Sequence, residues 1–357
     1  MPKQIICFVS LLCWGLIWPL TSFAAESFNI LLYHHVSATM PRSTSLTPAE
    51  FKGHLEYLKV NDYNVIDLAA AIASVKHGQP LPEKAIVITF DDAWRDIYLH
   101  GFPLLKQYDY PFTVFVNTDP VDQNNSYTMT WDMLRDLKKH GATLANHTRD
   151  HAYLVRKPIY DESWLIATLN NINYAQQRLT DELGPVPKWL AYPFGEYNDQ
   201  LKLALKQQGY IAFGQQSGGV AEFSDWQALP RFPAAGTYSN LTTLKTKLAS
   251  QPFPARYSAF ANPVVRSDQA ESSQPLLSVE LTQAQKPGVR QQLSCFIGGE
   301  RQMPNWQDPM NFTVQATHAL GQGRNRYNCT APIWGQKNYY WLSHQWLVYD
   351  GTAPPKE

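Results

Sequence analysis

The chain has 357 residues, and 30 Lys and Arg balance 30 Asp and Glu, so its formal net charge near neutral pH is zero. No basic or acidic block interrupts that balance, which excludes nucleic acid as a partner, because phosphate binding needs clustered Lys and Arg. The length exceeds one average domain, and an aromatic content of 13% suits either a large core or sugar binding.

The first element is a leader. Lys3 supplies a short positive region, Ile5 to Leu20 is apolar, and Ser22-Phe23-Ala24-Ala25 offers small residues for cleavage. Residues 1–25 therefore read as a secretory signal peptide. The apolar run is shorter than the ~20 residues a span needs and has no charged stop, so no stable membrane span is expected once it is cleaved. The remaining chain is expected in the periplasm or outside the cell. It keeps Cys295 and Cys329 of the four cysteines, a pair that an oxidising compartment favours as one disulfide.

Phe28 to Tyr33 reads as a buried strand ending at His34-His35. Thr47-Pro48-Ala49-Glu50 has the pattern of a capping box with Pro at the first helical position, and Phe51, Leu55 and Leu58 give the following helix an apolar stripe. The run Ala85-Ile86-Val87-Ile88 suits a strand buried on both faces; it ends at Asp91-Asp92, whose side chains should diverge because strand side chains alternate. One carboxylate can then hold a metal while its neighbour moves a proton. A helix is expected from about Asp96 to Lys106, strands over 112–116 and 143–146, a helix over 163–183 and a strand over 189–192 that meets Pro193-Phe194-Gly195. A further helix and strand follow. This alternation implies an α/β fold with a parallel sheet, as a barrel or an open sheet. His34, Asp91, Asp92, His147 and Phe194 all fall at C-terminal strand ends, where barrels gather functional residues.

His147 and His151, four positions apart, lie on one side of a helical turn, a spacing that lets both imidazoles reach one zinc with an aspartate as third ligand. His54, His77, His100 and His140 have no evident partners and read as solvated. Trp94 and Trp131 read as buried rather than as sugar-stacking rings.

Taken together, Thr89-Phe90-Asp91-Asp92, His147-Thr148 with His151, and Tyr192-Pro193-Phe194-Gly195 resemble the successive motifs of the polysaccharide deacetylases, carbohydrate esterase family 4 with NodB homology. The resemblance spans roughly Asn29 to Leu248. It implies a distorted (β/α)7-type barrel and removal of acetyl groups from N-acetylated sugars with a divalent metal, zinc first, with Co2+, Ni2+ or Fe2+ as alternatives. It also implies Asp91 as the general base, Asp92, His147 and His151 as metal ligands, and the Phe194 N–H as oxyanion donor. In two places the chain departs from the pattern. No arginine precedes the Tyr192-Pro193-Phe194-Gly195 stretch, so Arg231 is the candidate to pair with the base, against an equal expectation that it is structural. No histidine occurs between His151 and His318, so the acid falls to His34 in Leu32-Tyr33-His34-His35. That arrangement is similar to a permuted subgroup, the deacetylases of poly-β-1,6-N-acetylglucosamine. His35 should face away.

Beyond Pro254 the composition changes. The barrel is expected over 26–262, a polar linker over 263–275, and a small all-β sandwich without helix over 276–357. Trp306, Trp334, Tyr339, Tyr340, Trp341 and Trp346 there read mostly as core, with a glycan platform as the alternative. The expected partner is an N-acetylated polysaccharide, with exopolysaccharide export or matrix machinery beside it. Peptidoglycan or chitin-like chains are the alternative substrates, and a non-catalytic glycan binder is the alternative function.

Overall fold

The structure is a computed structural model that describes residues 25–157, 159–257, 262–268 and 273–352. The expected signal peptide lies outside the described residues, apart from Ala25. No helix among the described residues is long and apolar enough to cross a membrane.

The first part is a curled α/β sheet. Its parallel strands are β1 (Phe28–Tyr33), β2 (Ala85–Phe90), β3 (Thr113–Val116), β4 (Thr143–Asn146), β5 (Trp189–Ala191) and β6 (Ile211–Phe213), paired in that order. The edges are then drawn together. Leu229 bridges Phe213 of β6, and β7 (Phe232–Pro233) pairs in parallel with Leu31 and Leu32 of β1. This matches the barrel-like sheet expected. β1 and β2 are buried along their whole length, as strands covered on both faces must be.

Helices cover the sheet, and their ends obey local chemistry. α1 (Pro48–Val60) opens with the reciprocal Thr47–Glu50 capping box and buries Phe51, Leu55 and Leu58. His54 lies on the same buried face rather than in solvent. Its Nδ1 is 3.0 Å from the Tyr33 hydroxyl and its Nε2 2.7 Å from the Ser239 carbonyl. The helix expected from Asp96 instead begins as a wide π-turn, Ile97–Gly101, before α2 (Phe102–Tyr108); Pro103 has no N–H with which to close an α-turn onto Leu99. α3 (Glu162–Leu183) is capped by Asp161 and stopped at Gly184, where φ is 70°.

The second part is a sandwich of two sheets. One is built on β9 (Ser294–Ile297), β11 (Gly323–Pro332) and β12 (Tyr339–Tyr349), the other on β8 (Leu276–Leu281) and β10 (Asn311–Gln315). Cys295 and Cys329 sit opposite each other on β9 and β11 and are bonded. Three expectations need revision. Val264–Arg266, assigned to a linker, is a strand paired with Leu347–Tyr349, and a short helix, Pro287–Gln292, interrupts the β region. Moreover Gln251–Pro252 and Ala255–Tyr257, assigned to the barrel side, pair with β12 and β8. β12 explains the docking. Leu342, Trp346 and Val348 pack into the sandwich core, whereas Leu347 and Tyr349 pack with Tyr192, Tyr197 and Leu201 of the barrel. Of the C-terminal aromatics, Trp346 is core while Trp334 and Tyr339 stay exposed.

Candidate active site

β2 delivers two carboxylates and then breaks. The Asp91 N–H still donates to the Tyr33 carbonyl of β1, at 3.0 Å, but Asp92 and Ala93 turn left-handed, with φ 72° and 53°. The two side chains face different partners, but Asp92 lies past the strand end and is aimed by its left-handed backbone rather than by strand alternation. Asp91 is wholly buried against Arg231, itself 0% exposed. Arg231 Nη1 and Nη2 donate to the two carboxylate oxygens at 2.7 and 2.8 Å, and Nε donates to the Gly214 carbonyl at 2.9 Å. Arg231 is thus a buried bidentate partner of Asp91, not a surface arginine. Burial alone would raise the Asp91 carboxyl; the Arg231 charge outweighs it and holds the group below the ordinary carboxylate value.

Asp92 faces two imidazoles. Its Oδ1 is 3.1 Å from His147 Nε2 and 3.4 Å from His151 Nε2. Its Oδ2 accepts from the Trp94 indole N–H at 3.0 Å. His147 Nδ1 lies 2.8 Å from the Ala191 carbonyl, which can only accept, so Nδ1 carries the proton. That leaves a lone pair on Nε2. Despite their closeness, Asp92 Oδ1 and His147 Nε2 are buried without a hydrogen bond: with the proton on Nδ1, each presents a lone pair. Ligands held about 2.0–2.1 Å from one tetrahedral ion stand about 3.3 Å apart, and the spacings seen fit that. Asp92, His147 and His151 form the cluster able to hold a metal ion among the described residues. Against its burial, the imidazoles beside Asp92 keep its carboxyl well below the usual range.

The histidine pair is not carried by a helical turn, as the spacing suggested. It sits on a loop in which Thr148 and His151 are left-handed, φ 71° and 55°. Asn146 Oδ1 accepts from the Thr148 N–H at 2.7 Å, and Thr148 Oγ1 from the His151 N–H at 3.1 Å. Phe194 is left-handed too, φ 59°. Such conformations cost about 1–3 kcal/mol each and gather at sites where side chains must be aimed. Phe194 lies edge-on to His151 at 4.5 Å and stacks on Tyr153 at 4.0 Å. Behind it, the wholly buried Glu196 accepts two hydrogen bonds from Arg156, at 2.9 and 2.6 Å, tying the two loops together.

His34 leaves β1 at the same rim. Burial lowers its pKa, while the charges of Asp92 and Asp91 pull it up and those of Arg231 and His147 oppose them; all four are electrostatic neighbours. His35 points away, its Nδ1 2.6 Å from Asp96 Oδ2 and its ring stacked on Trp94 at 4.5 Å. His34, Asp91, Asp92, His147, His151, Phe194 and Arg231 therefore lie around one rim. Little in the sequence signals the Ala191 carbonyl, Trp94 as a partner of Asp92, or the Arg156–Glu196 pair. A glutamate next to the Pro193-Phe194-Gly195 turn was the one visible sign of the last.

Residues 78–213 match the polysaccharide deacetylase family. The match holds Asp91, Asp92, His147, His151 and Phe194 but neither His34 nor Arg231. The chain is similar to the poly-beta-1,6-N-acetyl-D-glucosamine N-deacetylase of Escherichia coli (strain K12), 26% identical over 252 residues that cover 60% of this chain and 37% of that protein. A protein of the same name from Staphylococcus aureus (strain MRSA252) is 25% identical over 214 residues, covering 58% and 73%. This chain thus spans little more than a third of the Escherichia coli relative. Among solved structures, the Streptococcus pyogenes deacetylase PplD in complex with acetate shares the fold, with a TM-score of 0.56 at 21% identity over 62% of this chain and 98% of that one.

Proposed function

We infer that this chain, whose residues 78–213 match the polysaccharide deacetylase family, is an exported, metal-dependent hydrolase that removes N-acetyl groups from an N-acetylhexosamine polysaccharide, poly-N-acetylglucosamine first among them. The observation that carries the reading is the buried Asp92 Oδ1 and His147 Nε2, 3.1 Å apart with no hydrogen bond, beside an Asp91 kept ionised by Arg231. A glycan binder has no use for that combination.

Asp92, His147 and His151 are the residues to hold the cation, and their one oxygen and two nitrogens suit Zn2+ while admitting Co2+, Ni2+ or Fe2+. A cation held there supplies Lewis acidity, polarising an amide carbonyl and making water a nucleophile near neutral pH. Asp91 is the base that accepts the proton of the attacking water; Arg231 fixes its orientation and keeps it charged. The Phe194 N–H donates to the oxygen on which charge develops. His34 hands a proton to the leaving amine; the carboxylates near it offset part of what burial costs the imidazolium, whose pKa stays below the ordinary value. The β-1,6 linkage rests on the first-strand acid histidine and on the names of the two relatives.

The test is acetate release from β-1,6- and β-1,4-linked N-acetylglucosamine oligomers and from peptidoglycan fragments, with and without a chelator. Release from the β-1,6 series that chelation abolishes supports the reading. Release confined to β-1,4 oligomers or peptidoglycan transfers the activity to those substrates, and none from any of them leaves a glycan binder.

A further inference from the structure

We propose that the C-terminal sandwich completes the active site: Gln345 and Arg324 are positioning residues that hold the Pro193–Gly195 turn, and with it the Phe194 N–H, in register with the reacting carbonyl. This rests on the deacetylase reading above and assigns a task to a domain that lies beyond the matched residues.

The turn needs support. Phe194 is held at φ 59°, ψ 2°, a conformation that a non-glycine residue leaves unless its surroundings insist. Its neighbour Gly195 also has positive φ, and a Cβ there would meet Gln215 at 2.8 Å, so the chain is pressed against the barrel on one side. What holds it on the other is the sandwich. Three carbonyls orient three successive peptide planes. The Pro193 carbonyl accepts locally from the Glu196 N–H at 3.1 Å. The Phe194 carbonyl accepts from Arg324 Nη1 at 3.2 Å, and the Gly195 carbonyl from Gln345 Nε2 at 2.6 Å. Two of the three planes are therefore fixed by β11 and β12. The Arg324 guanidinium also lies 5.5 Å from the Phe194 ring centroid and 3.9 Å from Glu196 Oε1.

Gln345 is the more telling of the two. It is 0% exposed, and it occupies the barrel-facing register of β12, two positions before Leu347. Leu347 and Tyr349 make that interface with apolar packing. An amide among them is costly unless bonded, so docking alone gives no reason for it. The hydrogen bond from its Nε2 to the Gly195 carbonyl does, although Oε1 is buried without one. An oxyanion donor contributes only when it is aimed before the charge appears, and a misplacement of about 1 Å costs on the order of a hundredfold in rate.

The experiment uses the full metal-loaded chain with Gln345→Met, which keeps the side-chain length and removes the donor, and Arg324→Ala. Two readouts are taken: kinetics on an N-acetylglucosamine oligomer, and hydrogen exchange of the Gly195 and Glu196 amides. The expected result is a fall in kcat of about tenfold or more in each variant, with KM within about twofold of the parent and metal content unchanged. Exchange at the turn should quicken. A merely structural contact would lower thermal stability without that split. The proposal is overturned if the double variant keeps kcat within about twofold, or if the loss falls on KM alone. Should Gln345→Met not fold, Arg324→Ala decides, since its side chain is partly exposed. If the parent itself releases no acetate, the deacetylase reading fails, while faster exchange at the turn still tests the clamp by itself.

Discussion

Asp91 is a carboxylate with no exposure, and it stays charged because two guanidinium nitrogens answer its two oxygens. Removing one partner of such a pair leaves an uncompensated buried charge, which costs about 3–5 kcal/mol. Arg231→Met should lower unfolding free energy by about that amount in chemical denaturation, and Arg231→Lys should not restore it, because an ammonium cannot donate in parallel to both oxygens. The neighbouring carboxylate is expected to behave differently. Asp92→Ala and His147→Ala should lose bound metal, whereas Asp91→Asn and His34→Ala should keep it and lose turnover; metal content by atomic spectroscopy beside acetate release separates the two classes. Asp91, Asp92, His147 and His151 were singled out by the order of their motifs and the family resemblance those carry, and the structure sets them side by side. The role of Arg231 was not, since 140 residues separate it from Asp91 and nothing local distinguishes it from a surface arginine.

At the scale of elements, sequence served best where local chemistry governs. The Thr47–Glu50 box appears as read, and the helix expected over 163–183 spans Glu162–Leu183 with Gly184 as its cap. Thr47→Ala should cost about 1 kcal/mol, measured by thermal unfolding, with acetate release unaffected. It served less well where tertiary contacts choose the backbone. The His147–His151 spacing is compatible with a helical turn, but side-chain bonds from Asn146 and Thr148 hold left-handed residues there instead. His54 looked solvated because its partners, Tyr33 and Ser239, lie on other elements.

For the whole molecule, the sandwich was visible as a run of short β segments, but its intimacy with the barrel was not. Alternation along β12 showed one core face; that the opposite face is buried as well depends on a surface formed by residues 150 positions earlier. His344 reports on this packing. It is 3% exposed, both ring nitrogens lack hydrogen-bond partners, and Tyr257 and Trp346 crowd its ring. Burial, with the Lys202 charge adding to it, brings its pKa down from 6.5 to about 3. The folded state therefore resists the proton that the unfolded chain accepts. Stability is fully present above pH 6.5 and drains away toward pH 3, at up to roughly 1.4 kcal/mol per pH unit. His344→Phe, which keeps a ring and removes the titration, should flatten that part of the stability profile in denaturant melts at stepped pH.

The most direct test is acetate release as chelated protein is titrated back with Zn2+. One cation gathered by Asp92, His147 and His151 requires release to rise in proportion to added metal and to level off at one equivalent per chain. Undiminished release from the metal-stripped protein, or none at full occupancy, would contradict it.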